Sequence, residues 1–236
     1  AVRDLLSRIN PDEIRSIHEE MIDIIKRNRI FRNGTISGYV VAGFDGAELF
    51  SSTKKSCPNC LTRKKLTGET EYFHRSVVCM IIGKSPHVIL GQEMLKPRDL
   101  SGFEMEGCPY KLRVVRYHEQ WEENGKERER FMWLVTTLEA ADYRVLWEMM
   151  HRRWDIEENG FHQLKTYYHA KHCYCRDAVE TIFNLISIGF NVRELYLYRR
   201  SRNFAGSGIS RKSINRIFCD DLLTEKVKQI LCEKGG

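Results

Sequence analysis

Two isolated acidic residues, Asp45 and Glu157, have positions that divalent-metal chemistry uses. Asp45 stands at the end of an apolar strand pattern within residues 38–50, and Glu157 interrupts an apolar seam on a later helix. A carboxylate on a core-facing seam costs free energy unless it is ion-paired, hydrogen-bonded or bound to a metal. Mg²⁺ is typically held by one or two carboxylates together with a substrate phosphate. A divalent-metal site is often assembled from two acids in such positions.

Each acid also has a structural explanation. Asp45-Gly46 is a common hairpin-turn dipeptide. Arg153 precedes Glu157 by the i,i+4 spacing that lets two helical side chains meet, so a buried ion pair would satisfy the carboxylate. The apolar seam around Glu157 comprises Met150, Trp154, Phe161, Leu164 and Tyr168. Spacing alone leaves both explanations open.

A Cys57-x-x-Cys60 pair lies in a polar, basic stretch over residues 54–75, which predicts a loop or small knuckle. This spacing is half of a zinc knuckle or ribbon, whose other ligands would come from elsewhere in the chain. The candidates are His74, His172, Cys173 and Cys175. Eight irregularly spaced cysteines fit reduced thiols or a metal site better than a disulfide framework. A pair of free thiols is the simpler alternative.

Basic residues gather in two segments, although the net charge is only +6 and the pI is near 8.9. The first patch is Lys54, Lys55, Arg63, Lys64 and Lys65, and the second is Arg193, Arg199, Arg200, Arg202, Arg211, Lys212 and Arg216. Aromatic residues are interleaved with the second patch. Such surfaces could bind the phosphates of the DNA backbone. The affinity for DNA would then fall steeply as the salt concentration rises. A solvated helix face is the alternative.

The helices that would position these residues show periodic apolar patterns. Asn10 and Pro11 predict the start of a first helix. Its predicted buried stripe is Ile14, Ile17, Met21, Ile24 and Ile25. Residues 141–168 predict a second helical region that carries Glu157. Residues 178–198 predict a strongly apolar, buried helix.

The strands are predicted mainly in the first half of the chain. Residues 38–50 are apolar on both faces, which is typical of a central strand. Residues 76–82 and 87–93 predict two further strands. Residues 110–118 and 130–138 predict a hairpin joined by the polar stretch 121–129, which contains Asn124-Gly125. The order of elements is that of an α/β protein, with strands first and helices late.

Composition excludes several classes of protein. With 236 residues, 42% hydrophobic and 30% charged, the chain has enough apolar residues for a packed core and is not disordered in character. No apolar run approaches the roughly 20 residues that a membrane span needs. No secretion signal opens the chain, which begins at Ala1. We therefore expect a cytoplasmic protein that has no membrane partner.

The acidic helix resembles the signature helix of bacterial insertion-sequence transposases of the DDE class. The motif is Arg153-Trp-Asp-Ile-Glu157 followed by Asn159-Gly160-Phe161-His-Gln-Leu-Lys165. Further similar residues are Trp133-Leu-Val-Thr-Thr-Leu138, Leu146-Trp147, His172-Cys173 and Tyr198-Arg199-Arg200. The strand ending in Asp45 is similar to the family's first catalytic strand. The resemblance covers most of residues 38–214 and is most specific in the helix.

The resemblance implies a ribonuclease-H-like core with a β-rich insertion, acting on transposon ends in double-stranded DNA. Asp45 would be the first metal-binding acid and Glu157 the last, around two Mg²⁺ or Mn²⁺ ions. Arg153 would neutralise a phosphate or orient Glu157, and Lys165 would contact the DNA backbone or a flipped end base. Together with Arg199 and Arg200 from the basic segment, these are the candidate DNA-binding residues. Such an enzyme would be nucleoid-associated and compatible with a homodimer.

The same resemblance divides the chain into four parts. Residues 1–37 would form an N-terminal helical segment, and residues 38–99 the first half of the core. Residues 100–139 would be the β-rich insertion. Residues 140–236 would complete the core with the catalytic helix and a basic C-terminal tail.

Two departures from the family pattern affect the signature helix. Met150 stands where the family usually has Tyr, three residues before the Arg. Lys165 follows Glu157 by eight residues, whereas the family spacing is seven, which keeps Glu158 as an alternate ligand. A one-residue bulge near Gly160 would reconcile Glu157 with Lys165.

A third departure concerns the family's second Asp, which ends a strand before the β-rich insertion. Asp99 follows Pro97 in a predicted loop, and Asp142 opens a helix, so neither is a convincing counterpart. We hypothesise that a strand–helix segment is missing near residue 99. The competing hypotheses are a non-catalytic, transposase-derived DNA-binding protein and a zinc-stabilised scaffold for protein partners.

Overall fold

The computed structural model describes residues 2–95, 113–136, 138–204, 208–223 and 225. The chain is mixed α/β, as its sequence predicts. The strands are β1 (Val41–Ser52), β2 (Leu61–Lys64), β3 (Thr70–Ile82), β4 (Ile89–Leu95), β5 (Arg113–Glu123) and β6 (Lys126–Thr136). The α-helices are α1 (Val2–Arg8), α2 (Pro11–Arg27), α3 (Tyr143–His151), α4 (His162–Tyr167), α5 (Val179–Phe204) and α6 (Arg211–Leu222). A π-helix spans Ile156–Phe161, and a 3₁₀ turn spans Arg176–Ala178.

An antiparallel sheet of four strands forms the first half of the protein. Its central strand is β3, which pairs with β1 on one side and with β2 and β4 along successive stretches. The prediction that residues 38–50 form a central strand is therefore wrong within the described part of the chain, where β1 pairs only with β3. The exposed side chain of Phe44 on β1 is consistent with this edge position. The 54–75 loop prediction also missed β2 and the first half of β3, whose outward residues are polar.

One face of this sheet carries the main hydrophobic core. Ala47 and Leu49 of β1 lie on that face with Val78 and Met80 of β3, and Phe183 of α5 packs in the same cluster. Side chains two residues apart on a strand point to the same face. Gly43 and the Asp45 side chain therefore lie on this face of β1 too. Asp45 therefore lies at the rim of the core-bearing face.

The first long helix, α2, covers a smaller part of the sheet. Its buried residues are Ile14, His18, Ile22 and Ile25. Ile17 and Ile24, which the sequence stripe included, are exposed. His18 occupies one of the buried positions. The buried stripe of α2 is therefore rotated around the helix relative to the predicted stripe. The Asn10 cap is as predicted, since its side chain accepts a hydrogen bond from the Asp12 N–H.

The two-stranded sheet β5–β6 confirms the predicted hairpin, but its strands continue through most of the polar stretch 121–129 that the sequence assigns to the connection. Asn124 and Gly125 connect the strands, and both have positive φ, at 53° and 72°. A two-residue hairpin turn of the favoured twist requires this conformation at both positions. Val115 of β5 packs with Leu146 of α3 in a separate small core.

The long helix α5 buries polar side chains as well as apolar ones. Asn191 brackets the backbone of Ile89 in β4: its Oδ1 accepts from the Ile89 N–H at 2.7 Å, and its Nδ2 donates to the Ile89 carbonyl at 2.8 Å. These bonds fix α5 against the sheet edge, because a buried backbone group must find a partner. Among the described residues, no helix has both the length and the apolar character needed to cross a bilayer.

Candidate functional site

The structure brings Asp45 against the helical region that carries the family-like motif. Arg153 Nη1 donates to Asp45 Oδ2 at 3.3 Å, although the two residues are 108 positions apart in sequence. The other carboxylate oxygen accepts from the Gly46 N–H at 2.7 Å. Asp45 is paired with Val78 in mid-strand, so the hairpin-turn explanation is wrong. The buried Arg153–Glu157 ion pair is wrong too, because Arg153 is half exposed and pairs with Asp45.

The motif helix contains the bulge that its spacing predicts. Residues Ile156–Phe161 form a π-helix, and the His162 N–H donates to the Glu157 carbonyl five residues earlier. A π-turn adds one residue, which is the difference between the eight-residue and seven-residue spacings to Lys165. Gly160, the predicted location of the bulge, lies within this turn.

Two glycines let the π-helix pack directly on the sheet. A Cβ at Gly43 of β1 would lie 2.6 Å from Ile156 Cδ1, and a Cβ at Gly160 would lie 2.9 Å from Met80 Sδ. Such distances are too short for carbon or sulfur contacts, so larger residues would push the helix away. Strand β1 and the motif helix are thereby held close, which positions Arg153 over Asp45.

The acid that this helix buries most deeply is Asp155, which the sequence interpretation missed. Its Oδ2 accepts from the Gly83 N–H in the β3–β4 connection at 2.9 Å. Glu157 is half-buried, and no hydrogen bond or ion pair joins its carboxylate to another described residue. The predicted seam fails because Trp154 is exposed while Ile156 is fully buried. A constant period of 3.6 cannot follow the face of a helix through a π-turn.

A groove opens beside the Asp45–Arg153 contact. Its volume is about 530 Å³, and it runs along the β1 edge between the sheet, β6 and α3. Phe44, Trp133, Met150 and Arg153 line it. Phe44 and Trp133 are about two-thirds exposed, which is unusual for large aromatic rings. The groove therefore combines flat apolar surfaces with a guanidinium group.

The second candidate site is a cluster of Cys57, Cys60 and His74. The two Sγ atoms lie 3.2 Å apart, and His74 Nε2 lies 3.2 Å from Cys57 Sγ and 3.4 Å from Cys60 Sγ. All three ligand atoms fall within 4.8 Å of one another, so the cluster could bind a metal such as zinc. The loop between β1 and β2 supplies both cysteines, and the buried His74 comes from the neighbouring strand β3.

The chemistry of these donors suits Zn²⁺. Burial lowers the pKa of His74, which keeps the imidazole in the neutral form that binds metals. Burial, followed by the hydrogen bond with Cys57, raises the pKa of the Cys60 thiol, so zinc binding would release a proton. Zn–S bonds of about 2.3 Å in a tetrahedron need Sγ atoms roughly 3.8 Å apart. A small side-chain rotation would supply the difference.

The remaining candidate zinc ligands lie close by. Cys173 and His172 line the same cavity as Cys57, Cys60 and His74, with a volume of about 270 Å³. Cys175 lies beyond it, with its Sγ 3.8 Å from the Arg3 carbonyl oxygen. The described cysteines are free thiols, namely Cys57, Cys60, Cys79, Cys173, Cys175 and Cys219. Within the described chain, this agrees with the prediction of reduced thiols or a metal site.

The first basic patch is partly neutralised. Arg63 donates to both carboxylate oxygens of Glu48, at 2.9 and 3.0 Å, and to Glu71 at 2.7 Å. Lys65 lies 3.4 Å from Glu71. The hydrogen bonds from Arg63 and Arg75 keep the pKa of Glu48 below its ordinary value despite partial burial. Glu71 lies on β3, eight residues after Arg63, and Glu48 lies on β1, so the pairing depends on a strand register that the basic residues alone do not reveal.

The second basic patch belongs to α5 and α6. Arg193 is buried and donates to Glu194 at 2.7 Å and to Gln163 at 2.6 Å, so it stabilises the core and cannot track DNA. Arg200 lies 3.6 Å from Asp221 and remains half exposed. Arg199 and Lys165 are exposed.

Asp142 and Asp99 were considered as counterparts of the family's second Asp, and only Asp142 lies among the described residues. Asp142 caps α3 by accepting from the Arg144 N–H at 2.8 Å, which confirms its position at a helix start. Asp99, and the hypothesised gap beside it, lie outside the described residues. The only group of three or more candidate metal ligands among the described residues is Cys57, Cys60 and His74.

Comparison with protein-family models, with curated proteins and with solved structures gave no match.

Proposed function

We propose that this protein is a DNA transposase of the DDE class that performs metal-dependent strand cleavage and strand transfer at transposon ends. The observation that carries the proposal is the Arg153–Asp45 contact at 3.3 Å. It joins the acid on β1 to the helix that bears Glu157 and the family-like motif. The π-turn after Glu157 supports the assignment of Glu157, with Lys165 in register, over the exposed Glu158.

Asp45 and Glu157 are the residues that would hold Mg²⁺ or Mn²⁺ in this core. When bound, the ions would supply charge to activate water or a 3′-hydroxyl and to stabilise the leaving oxygen. Asp45 retains partial solvent access, and Arg153 is half exposed, so the guanidinium can turn from the carboxylate toward a phosphate. The described residues provide two of the carboxylates, and the ribonuclease-H-like arrangement requires a further one.

The groove beside Arg153 supports a nucleic-acid substrate. Phe44 and Trp133 present exposed rings there, and the guanidinium of Arg116 lies 5.4 Å from the Trp133 ring centre. Unpaired bases stack on such rings, while arginines bind phosphates. Lys165 and Arg199 would extend backbone contacts beyond the groove.

The alternative function is a non-catalytic, transposase-derived DNA-binding protein. Its support is specific: Arg153 already neutralises Asp45, and the described residues contain no cluster of three acids. In such a protein Arg153–Asp45 would be a structural ion pair, and the exposed basic and aromatic residues would retain DNA binding.

A plasmid assay tests the proposal. Supercoiled plasmid is incubated with the protein and Mn²⁺, and nicked and linear products are measured. We expect cleavage that falls by at least about 100-fold in Asp45→Asn and Glu157→Gln, because metal stabilisation contributes several kcal/mol. Asp23→Asn is the matched control, since Asp23 is an exposed acid paired with Lys26 on α2.

Four outcomes separate the hypotheses. Cleavage that survives in Asp45→Asn excludes Asp45 as a metal-binding acid. Loss in Glu158→Gln with full activity in Glu157→Gln moves the last acid by one residue. DNA binding without cleavage by the native protein favours the non-catalytic alternative, and absence of both activities contradicts the two functions together.

A further inference from the structure

We propose that Cys173 is the fourth ligand of a closed, structural zinc site formed with Cys57, Cys60 and His74. The zinc ion would link the β1–β2 loop and strand β3 to the segment that connects α4 with α5. This inference is independent of the DNA function, because it depends only on the donors around one cavity.

The three-membered cluster leaves one tetrahedral position to fill. Structural zinc sites almost always have four protein ligands, whereas an open fourth position is typical of catalytic zinc. The cavity of about 270 Å³ that holds Cys57, Cys60 and His74 is also lined by Cys173. A half-buried thiol facing the same space is the natural donor for that position.

The neighbouring donors are less well placed than Cys173. The His172 ring is exposed and packs edge-on against Tyr174, with ring centres 4.6 Å apart. The Cys175 Sγ lies against the Arg3 carbonyl oxygen and lines a separate cavity. Of these two cavities, Cys173 lines both, whereas Cys175 lines only the second.

Charge around the cavity favours a third thiolate. Lys55, Lys171 and Arg176 line it, and no described lining residue is acidic. A Zn²⁺ ion with three thiolates and one neutral imidazole has a net charge of −1. Nearby cations stabilise that charge, as they stabilise thiolates in general.

Ligation requires a local movement. Cys173 Sγ is not among the atoms that lie mutually within 4.8 Å, so residues 171–176 would shift toward the cluster when zinc binds. The segment is anchored at its far end, where the 3₁₀ turn leads into the buried start of α5. Zinc would thus strengthen the attachment of the sheet to the helices, which include the π-helix that carries Glu157.

Cobalt substitution of the full chain tests the assignment. Co²⁺ is titrated into metal-free protein, and the thiolate-to-cobalt charge-transfer band and the tetrahedral d–d bands are recorded, followed by zinc competition. With three thiolates, Cys173→Ser should lower the charge-transfer absorbance by about a third. It should also weaken zinc binding by more than about 100-fold, since removal of outer-shell partners alone costs 10–100-fold.

The matched control is Cys175→Ser, two residues away, which should leave both spectra and affinity unchanged. Circular dichroism of each metal-free variant checks that the fold is retained. If Cys173→Ser behaves as the native protein does, the site has an open fourth position and the proposal is wrong. It is also wrong if His172→Ala produces the loss, or if Cys57→Ser does not reduce zinc binding of the native chain.

Discussion

Asp155 shows how a single buried carboxylate positions the candidate site. It accepts a hydrogen bond from the Gly83 N–H and lies two residues after Arg153, so it ties the start of the motif helix to the β3–β4 connection. Removing a partner from a buried donor costs more than the average hydrogen bond, because the remaining group loses solvation without compensation. Asp155 therefore has a structural role that its exposed neighbour Glu158 does not share.

Asp155→Ala should lower the free energy of unfolding by about 1–3 kcal/mol, since it removes the acceptor of the Gly83 N–H hydrogen bond. Urea denaturation monitored by circular dichroism measures the change. Glu158→Ala is the control and should stay within about 0.5 kcal/mol of the native value, as most exposed substitutions do. Equal effects of the two substitutions would refute the anchoring role.

His18 should make stability depend on pH. It is buried in α2, and burial lowers its pKa, while its hydrogen bond to the Ile89 carbonyl and the nearby Glu19 charge oppose that shift. The unfolded chain therefore binds a proton more readily than the folded protein does between the lowered pKa and about 6.5. Stability is fully present above pH 6.5 and is lost as the pH falls through this window.

The free energy of unfolding should fall by up to about 1.4 kcal/mol per pH unit in that window from this one group. Urea titrations at several values between pH 7.5 and 5.5 measure the slope. His18→Gln removes the titrating group, so its slope should be flatter than that of the native protein. Identical slopes would show that His18 does not govern this dependence.

At the scale of the elements, the approach of β1 to the π-helix depends on glycine. Gly43→Ala should destabilise the protein by about 1–3 kcal/mol through overpacking against Ile156. Gly91→Ala in β4 is the matched control, because no atom lies within 4 Å of its added Cβ. Both substitutions gain the same strand propensity, so the difference between their unfolding free energies isolates the clash. A difference near zero would contradict the close packing.

Local patterns in the sequence were sufficient for some elements and for part of the site. The β5–β6 turn and the Asn10 cap follow from turn and capping chemistry, whereas the π-bulge near Gly160 follows from the spacing that the family resemblance implies. The edge position of β1 and the contact of Arg153 with Asp45 depend on pairing between segments far apart in sequence. Arg63 is a nearer case, since its acidic partners are 8 and 15 residues away and are brought close by strand pairing. Long-range partners of charged residues leave no periodic signal, so they could not be predicted.

At the scale of the whole molecule, DNA binding should depend on exposed cations that form no ion pair with another described residue. Arg199→Ala and Lys165→Ala should each reduce the slope of log affinity against log salt by about 1, the contribution of one phosphate contact. Fluorescence anisotropy with a labelled duplex between low and moderate salt measures this slope. Lys26→Ala removes an exposed cation paired with Asp23 and should leave it unchanged. A salt-independent affinity would exclude backbone binding.

The central claim is that Asp45 and Glu157 hold divalent metal beside the groove. The most direct measurement is anomalous diffraction from crystals of the protein soaked with Mn²⁺ and a short DNA duplex. We expect an anomalous peak about 2.1 Å from a carboxylate oxygen of Asp45, with Glu157 as a further ligand and Arg153 turned away. An Asp45 carboxylate that still pairs with Arg153, with no peak at either acid, would contradict it.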